Sequence, residues 1–247
     1  MNFSKKLRNW YKKNSRDLLW RNTADPYHIW LSEIMLQQTR VDQATAYYRK
    51  FLNHFQSIND LANADEQELL KLWQGLGYYS RARNLHHAAK QVRDDYDGKF
   101  PKSYNDIRKL KGVGDYTAAA IASFAFNLPH AVVDGNVFRV LSRINNDPTP
   151  IDTSQGKKLF QAYADVLLTK EDAAEHNQAI MELGALICKP KNPDCQSCPV
   201  QEYCQAFRAG TQNELPVKSK KVKIKERYFH YFVPVNKVQI YFSKRTT

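Results

Sequence analysis

The chain has 247 residues, 43% of them hydrophobic and 25% charged, a globular balance that excludes wholesale disorder and is ample for a buried core. Lys plus Arg number 37 against 25 Asp plus Glu, a formal net charge of +12, so a polyanion is the expected partner, nucleic acid first and an anionic membrane surface second. No apolar run approaches the roughly 20 residues of a membrane span, and the N-terminus MNFSKKLRNWYKKNSRD lacks the apolar stretch of a secretory signal, which predicts a cytoplasmic protein, or a nuclear one if the source has a nucleus.

Up to about residue 210 the chain reads as helical. Apolar residues recur at i, i+3 and i+4, with no repeat and no strand alternation, so this region is all-α. The spacing predicts helices over 27–38, 66–73, 81–96, 115–126, 136–144, 156–168 and 176–187. Loops are expected at Asp25-Pro26, Gly75 and Gly77, Gly98, Pro101, 127–129 and 145–150.

The first chemically suggestive residue is Glu33, in WLSEIMLQQT, which shares its helix with Trp30, Ile34 and Met35. A carboxyl in apolar sequence either faces solvent or is buried with a raised pKa, poised to carry a proton. The segment 103–126, SYNDIRKLKGVGDYTAAAIASFAF, reads as a short helix through 106–110, the turn Lys111-Gly112-Val113-Gly114, and a second helix from Asp115. Gly112 and Gly114 free the backbone and clear side chains, so that amide groups at the helix N-terminus can meet a phosphate. Val113 is the apolar plug between them. The pattern suits sequence-independent DNA-backbone binding, with a plain inter-helix turn as the bland alternative. Asp134, in HAVVDGNVFRVLSR, precedes a new helix and is flanked by Asn136 and Arg139. It is either an N-cap or, with Glu33, the second of two carboxyls able to break a glycosidic bond.

All four cysteines, Cys188, Cys195, Cys198 and Cys204, lie within seventeen residues in the pattern C-x6-C-x2-C-x5-C. Zinc sites usually pair two short knuckles, and this loop has one. The uneven spacing instead suits an iron–sulfur cubane held by one chain, with zinc left as the alternative. Lys189 and Lys191 make the loop cationic, so it presents charge to phosphates, or else the metal merely staples a loop.

After about Pro216 the character changes. VKSKKVKIKER reads as a basic linker (216–227) or a phosphate-tracking arm. RYFHYFVPV and VQIYF, around an Asn236-Lys237 break, read as a hairpin. A lone hairpin is marginal in water, so it is either docked on the helical body or the opening of a β domain.

Taken together, RDLLWR (16–21), SEIMLQQT (32–39), WQGLGYYSRARN (73–84), LKGVGDYTAAAI (110–121), VVDGNVFRV (132–140), NQAIMELGALIC (177–188) and the cysteine loop resemble the endonuclease III superfamily of DNA glycosylases. Within it they resemble the MutY-type adenine DNA glycosylases. The resemblance covers essentially 1–225. It implies a helix-hairpin-helix glycosylase fold: a six-helix barrel over 26–131, and an iron–sulfur domain from 1–25 and 132–215 holding a [4Fe–4S] cluster. It also allows a monovalent cation at the helix-hairpin-helix. The hairpin over 228–247 resembles the start of that family's Nudix-like second domain, so the chain reads as C-terminally truncated relative to full-length members.

The resemblance further implies a monomer acting on duplex DNA with adenine opposite 8-oxoguanine or guanine. In it Glu33 matches the acid that protonates adenine N7, and Asp134 the carboxylate that stabilises the sugar cation. Tyr116 and Asn136 match residues that orient these groups. Trp20 and Arg21 match the adenine pocket, Gln38 the probe of the space left by the flipped base, and Tyr78 the wedge beside the oxidised guanine. Lyase members carry lysine where this chain has Tyr116, which implies base release without strand cleavage. Two other readings are a thymine or uracil mismatch glycosylase of the same superfamily and a non-enzymatic iron–sulfur DNA-binding module.

Overall fold

In the computed structural model, residues 2–219, 226, 228 and 230 are described, together with the backbone of the strand pair 235–236 and 239–240. Twelve α-helices form among the described residues: α1 (Asn2–Asn14), α2 (Pro26–Leu36), α3 (Val41–His54), α4 (Ile58–Asn63), α5 (Glu66–Trp73), α6 (Ser80–Asp95), α7 (Tyr104–Lys109), α8 (Asp115–Phe126), α9 (Gly135–Asn145), α10 (Ser154–Leu167), α11 (Ala173–Leu186) and α12 (Gln205–Ala209). A 3-10 turn, Leu19–Arg21, precedes α2. Among the described residues no helix is long and apolar enough to cross a membrane.

Caps written into the sequence set many of these boundaries. Asp25 accepts from the Tyr27 and His28 amides, with Pro26 at the first helical position of α2. Asp65, Ser103 and Thr153 do the same for α5, α7 and α10. Thr153 starts α10 two residues before the periodicity does. At the other end, α2 stops at Leu36 rather than running through Gln38, because Gln38 sits in the left-handed region at φ 59°.

Two main apolar cores result, with a small third cluster of Ala119, Ala120 and Val132. The first gathers Trp20 with residues of α2 to α8, Trp30, Phe51, Leu61 and Trp73 being fully enclosed. The second gathers Phe3 and Leu7 of α1 with Val137, Leu141, Phe160, Ile180 and Leu183 from α9, α10 and α11. Buried Asn177 sutures them. Its amide nitrogen donates to Ser123 Oγ and to the His130 carbonyl, both at 2.8 Å, and its oxygen accepts from the Val132 amide at 3.1 Å.

The all-α reading holds, with a short C-terminal hairpin. Val235 pairs with Ile240 and Asn236 with Gln239, antiparallel, so Asn236 belongs to a strand rather than to the break. The basic run 220–225, residues 237–238 and most of the hairpin lie outside the described residues.

Candidate active site

The two cores meet along a pocket of about 350 Å3, within the usual range for ligand sites. The first core's side contributes Trp20, Arg21, Ser32 and Glu33, and α8 contributes Tyr116. The second contributes Asp134, Asn136, Gln178 and Glu182. Six residues singled out between positions 20 and 136 therefore share one cavity: Trp20, Arg21, Glu33, Tyr116, Asp134 and Asn136.

Glu33 is not on a solvated face. It is only 6% exposed, and burial raises its pKa to about 7. A hydrogen bond from Tyr116 opposes that shift, and the nearby Asp134 charge adds to it. The Tyr116 phenol, raised well above its usual value by burial and then by the Glu33 and Asp134 charges, stays a donor.

Asp134 proves to be both the N-cap of α9 and a pocket residue. Oδ1 accepts from the Val137 amide at 2.7 Å, and Oδ2 from Asn136 Nδ2 at 2.8 Å. Burial raises its pKa, while these bonds, the Asn136 amide and the Arg139 charge pull against it. Arg139 extends the arrangement: Nη2 donates to Asn136 Oδ1 and the Gly184 carbonyl, both at 2.8 Å, and Nε to the Cys188 carbonyl at 2.7 Å. Gly184 permits the close packing of α9 on α11, since a Cβ there would lie 2.6 Å from the Asn136 Cβ.

Sequence reading missed the pocket's ionic wall. Glu182 is fully buried and accepts from Arg16 Nη2 at 2.7 Å and Arg21 Nη2 at 2.8 Å. Burial pushes its pKa up, but the Arg16 and Arg21 hydrogen bonds outweigh that and hold it at about 2. The signal was present in NQAIMELGALIC, one carboxyl in an apolar helix, the same pattern that marks Glu33.

Gln38 and Tyr78 lie outside the pocket lining. Both are exposed, Tyr78 by 62%, and both have positive φ. In the helix-hairpin-helix, Val113 is buried as the plug. Gly112 needs its glycine, with φ 77° and a Cβ position only 2.7 Å from Asn84 Cβ. Gly114 does not need it for conformation: its backbone is extended, and what it offers is open space at the α8 N-terminus. Tyr116, the second residue of α8, lines the pocket, so one helix joins the hairpin to the pocket.

All four cysteines line one cavity beside Arg143. Arg143 Nη1 lies 3.2 Å from Cys188 Sγ, and Lys189 and Lys191 are exposed on the loop. Among the described residues no three His, Cys, Asp or Glu side chains converge tightly enough to hold a single metal ion. Four cysteines lining one cavity are the donor set of a four-thiolate iron–sulfur cluster. Burial pushes the Cys198 thiol up to about 12 and, with the neighbouring cysteines, raises Cys195 and Cys204, so bound metal would be needed to hold these three as thiolates. When bound, the cluster supplies iron–thiolate bonds that tie 188–204 together.

Residues 31–179 match the model of the HhH-GPD superfamily base excision DNA repair proteins, and 188–204 match the iron–sulfur binding domain of endonuclease III. An adenine DNA glycosylase of Buchnera aphidicola (subsp. Baizongia pistaciae) is 37% identical over 98% of this chain and 69% of its own length. The chain belongs to the adenine DNA glycosylase family of the HhH-GPD superfamily. The human adenine DNA glycosylase is 40% identical over 86% of this chain and 41% of its own length. Among solved structures, a thermostable thymine-DNA glycosylase superposes with TM-score 0.77 at 29% identity, covering 84% of this chain and 96% of that one. A trapped endonuclease III–DNA covalent intermediate superposes with TM-score 0.71 at 21% identity, covering 85% and 95%, and supports the fold.

The loop's cofactor in this DNA glycosylase is a [4Fe–4S] cluster. Anaerobically purified protein should be brown and carry about four irons per chain; stoichiometric zinc without iron would contradict this.

Proposed function

We propose that this chain hydrolyses the N-glycosidic bond of adenine mispaired with 8-oxoguanine or guanine in duplex DNA, leaving an abasic site on an intact strand. One observation carries the reading: two carboxyls share a pocket with different surroundings. Glu33 is buried with its pKa near 7 and bonded by Tyr116. Asp134 is met by amide donors. The first can deliver a proton to adenine N7, and the second can hold negative charge beside an oxocarbenium-like sugar.

A base must leave the stack to reach such a pocket. Trp20 and Arg21 would line its seat, Gln38 and Tyr78 would fill and wedge the duplex, and Asn136 and Tyr116 would orient the two carboxyls. Gly112, Val113 and Gly114 would present the α8 amides to backbone phosphate, with a monovalent cation completing that turn. Lys189 and Lys191 would track phosphates from the cluster loop. The half built on the second core, with α1, serves as the iron–sulfur domain and the first core as the six-helix barrel. The protein acts as a monomer in whichever compartment holds the DNA.

Tyr116 decides the reaction type. Borohydride should trap little covalent protein–DNA adduct with the native chain. Tyr116→Lys should increase it, because an amine there could form a Schiff base. Strong trapping by the native chain would overturn monofunctional chemistry.

The base is tested by incubating the protein with duplexes carrying A, T or U opposite 8-oxoguanine or guanine and scoring alkali-labile sites. Alkali-labile sites confined to adenine support the reading. The likeness to a thymine-DNA glycosylase supports a second reading, which release of T or U alone would favour. Binding without release would leave a non-enzymatic module.

A further inference from the structure

The pocket accounts for base release, but not for how two side chains on separate turns meet the duplex together. Gln38 closes the end of α2, and Tyr78 ends the glycine turn before α6. Both adopt left-handed backbone, φ 59° and 47°, a conformation that non-glycine residues hold only when their surroundings impose it. One side chain touches both turns. Arg81, in the first turn of α6, directs Nη1 at the carbonyls of Ile34, Met35 and Gln37, within 3.2 Å. Its Nη2 lies 3.1 Å from the Leu76 carbonyl and 3.4 Å from that of Gly77. The guanidinium also sits 5.3 Å from the Trp73 ring centroid and 5.7 Å from that of Tyr78.

The two turns depend on Arg81 unequally. The glycine turn has other anchors: Trp73 Nε1 donates to the Gly77 carbonyl, Tyr47 Oη to Gln74, and Gln43 Nε2 to Gly75. The α2 end has the Thr39 amide bonded to the Leu36 carbonyl and a long Thr39 Oγ1 contact to the Gln37 carbonyl, 3.5 Å, and its remaining carbonyl partners come from Arg81. Those are acceptors a helix leaves unsatisfied, where a cation is favoured. A planar fork can bridge two sets of carbonyls at a fixed spacing, and an ammonium cannot.

We infer that Arg81 is a positioning residue for DNA distortion, a single guanidinium that sets the spacing between the Gln38 turn and the Tyr78 turn so that both side chains enter the duplex as a matched pair. The inference rests on the reading of Gln38 and Tyr78 as the side chains that enter the stack.

The test is a double-mutant cycle on single-turnover adenine release from a mispaired duplex, with far-UV circular dichroism and cluster absorbance confirming each folded protein. Arg81→Lys keeps the charge and the aliphatic stem but loses the fork. It should slow release about tenfold or more, the scale of small misplacements away from the reacting atoms. In a Gln38→Ala/Tyr78→Ala background there is no pair left to position, so the same change should alter the rate less than about twofold. An equal loss in both backgrounds would make Arg81 a general structural residue and overturn the inference. A native rate for folded Arg81→Lys would also overturn it. Undiminished release by Gln38→Ala/Tyr78→Ala alone would instead remove the reading beneath it.

Discussion

Glu33→Gln should bind mispaired duplex within a few-fold of the native chain and release base at least two orders of magnitude more slowly, the usual cost of deleting a general acid. Glutamine keeps the shape and an acceptor for the Tyr116 hydroxyl but has no proton to give. The buried site explains why a glutamate rather than a solvated group is placed there. Its folded pKa is raised from 4.5 to about 7, so near neutral pH it is close to half protonated. That tuning has a stability cost of definite sign. A carboxyl whose folded pKa is raised favours the fold fully below pH 4.5, and that contribution is lost as pH rises through about 7. At about 1.4 kcal/mol per pH unit the loss is roughly 3 kcal/mol. Glu33→Gln removes the group, so its melting temperature should fall less than that of the native chain between about pH 5 and pH 8. Native-like base release by the variant would rule out Glu33 as the acid.

Asp134→Asn separates the α9 cap, which the structure shows, from the proposed role of its charge in the pocket. Asparagine caps helices as well as aspartate does, so α9 should keep its start and the protein its melting temperature to within a few degrees. What disappears is the negative charge facing the pocket. Base release should fall by two to three orders of magnitude, the scale for removing a group that stabilises charge only as the transition state forms. Substitution by alanine should add a cap loss of about 1 kcal/mol to the same catalytic defect. Single-turnover rates with thermal melts on both variants check this. A variant that stays folded and active would leave Asp134 as a cap and nothing more.

The contrast between these two carboxyls shows what was legible in the sequence. Apolar neighbours marked Glu33 as unusual, but periodicity alone could not place it on the buried face of α2. Asp134 carried a plain capping signature, and the cap is real; nothing local distinguishes a cap that also lines a cavity. Helix interiors such as α5 and α8 were readable to the residue, because a cap or a turn glycine bounds them. The end of α2 was not, because the left-handed Gln38 backbone has no glycine or asparagine signature in the sequence to announce it. Glu182 was passed over because its two arginine partners lie more than 160 positions away, and ion pairs over that span leave no trace in spacing. The cysteine loop was legible because its ligands are close in sequence and chemically distinctive.

If Glu33 works as a proton donor and Asp134 as an anion in the same pocket, the rate of base release must depend on both protonation states. Single-turnover base release measured from about pH 4 to pH 9 tests it most directly. A bell-shaped profile is expected. The acid limb rises as Asp134 ionises, at a pH above that of an ordinary aspartate because burial raises it. The alkaline limb falls through about pH 7 as Glu33 loses its proton, and that limb should be missing from the residual activity of Glu33→Gln. A native rate that stays level from pH 6 to pH 9, with the protein folded throughout, would rule out Glu33 as the proton donor.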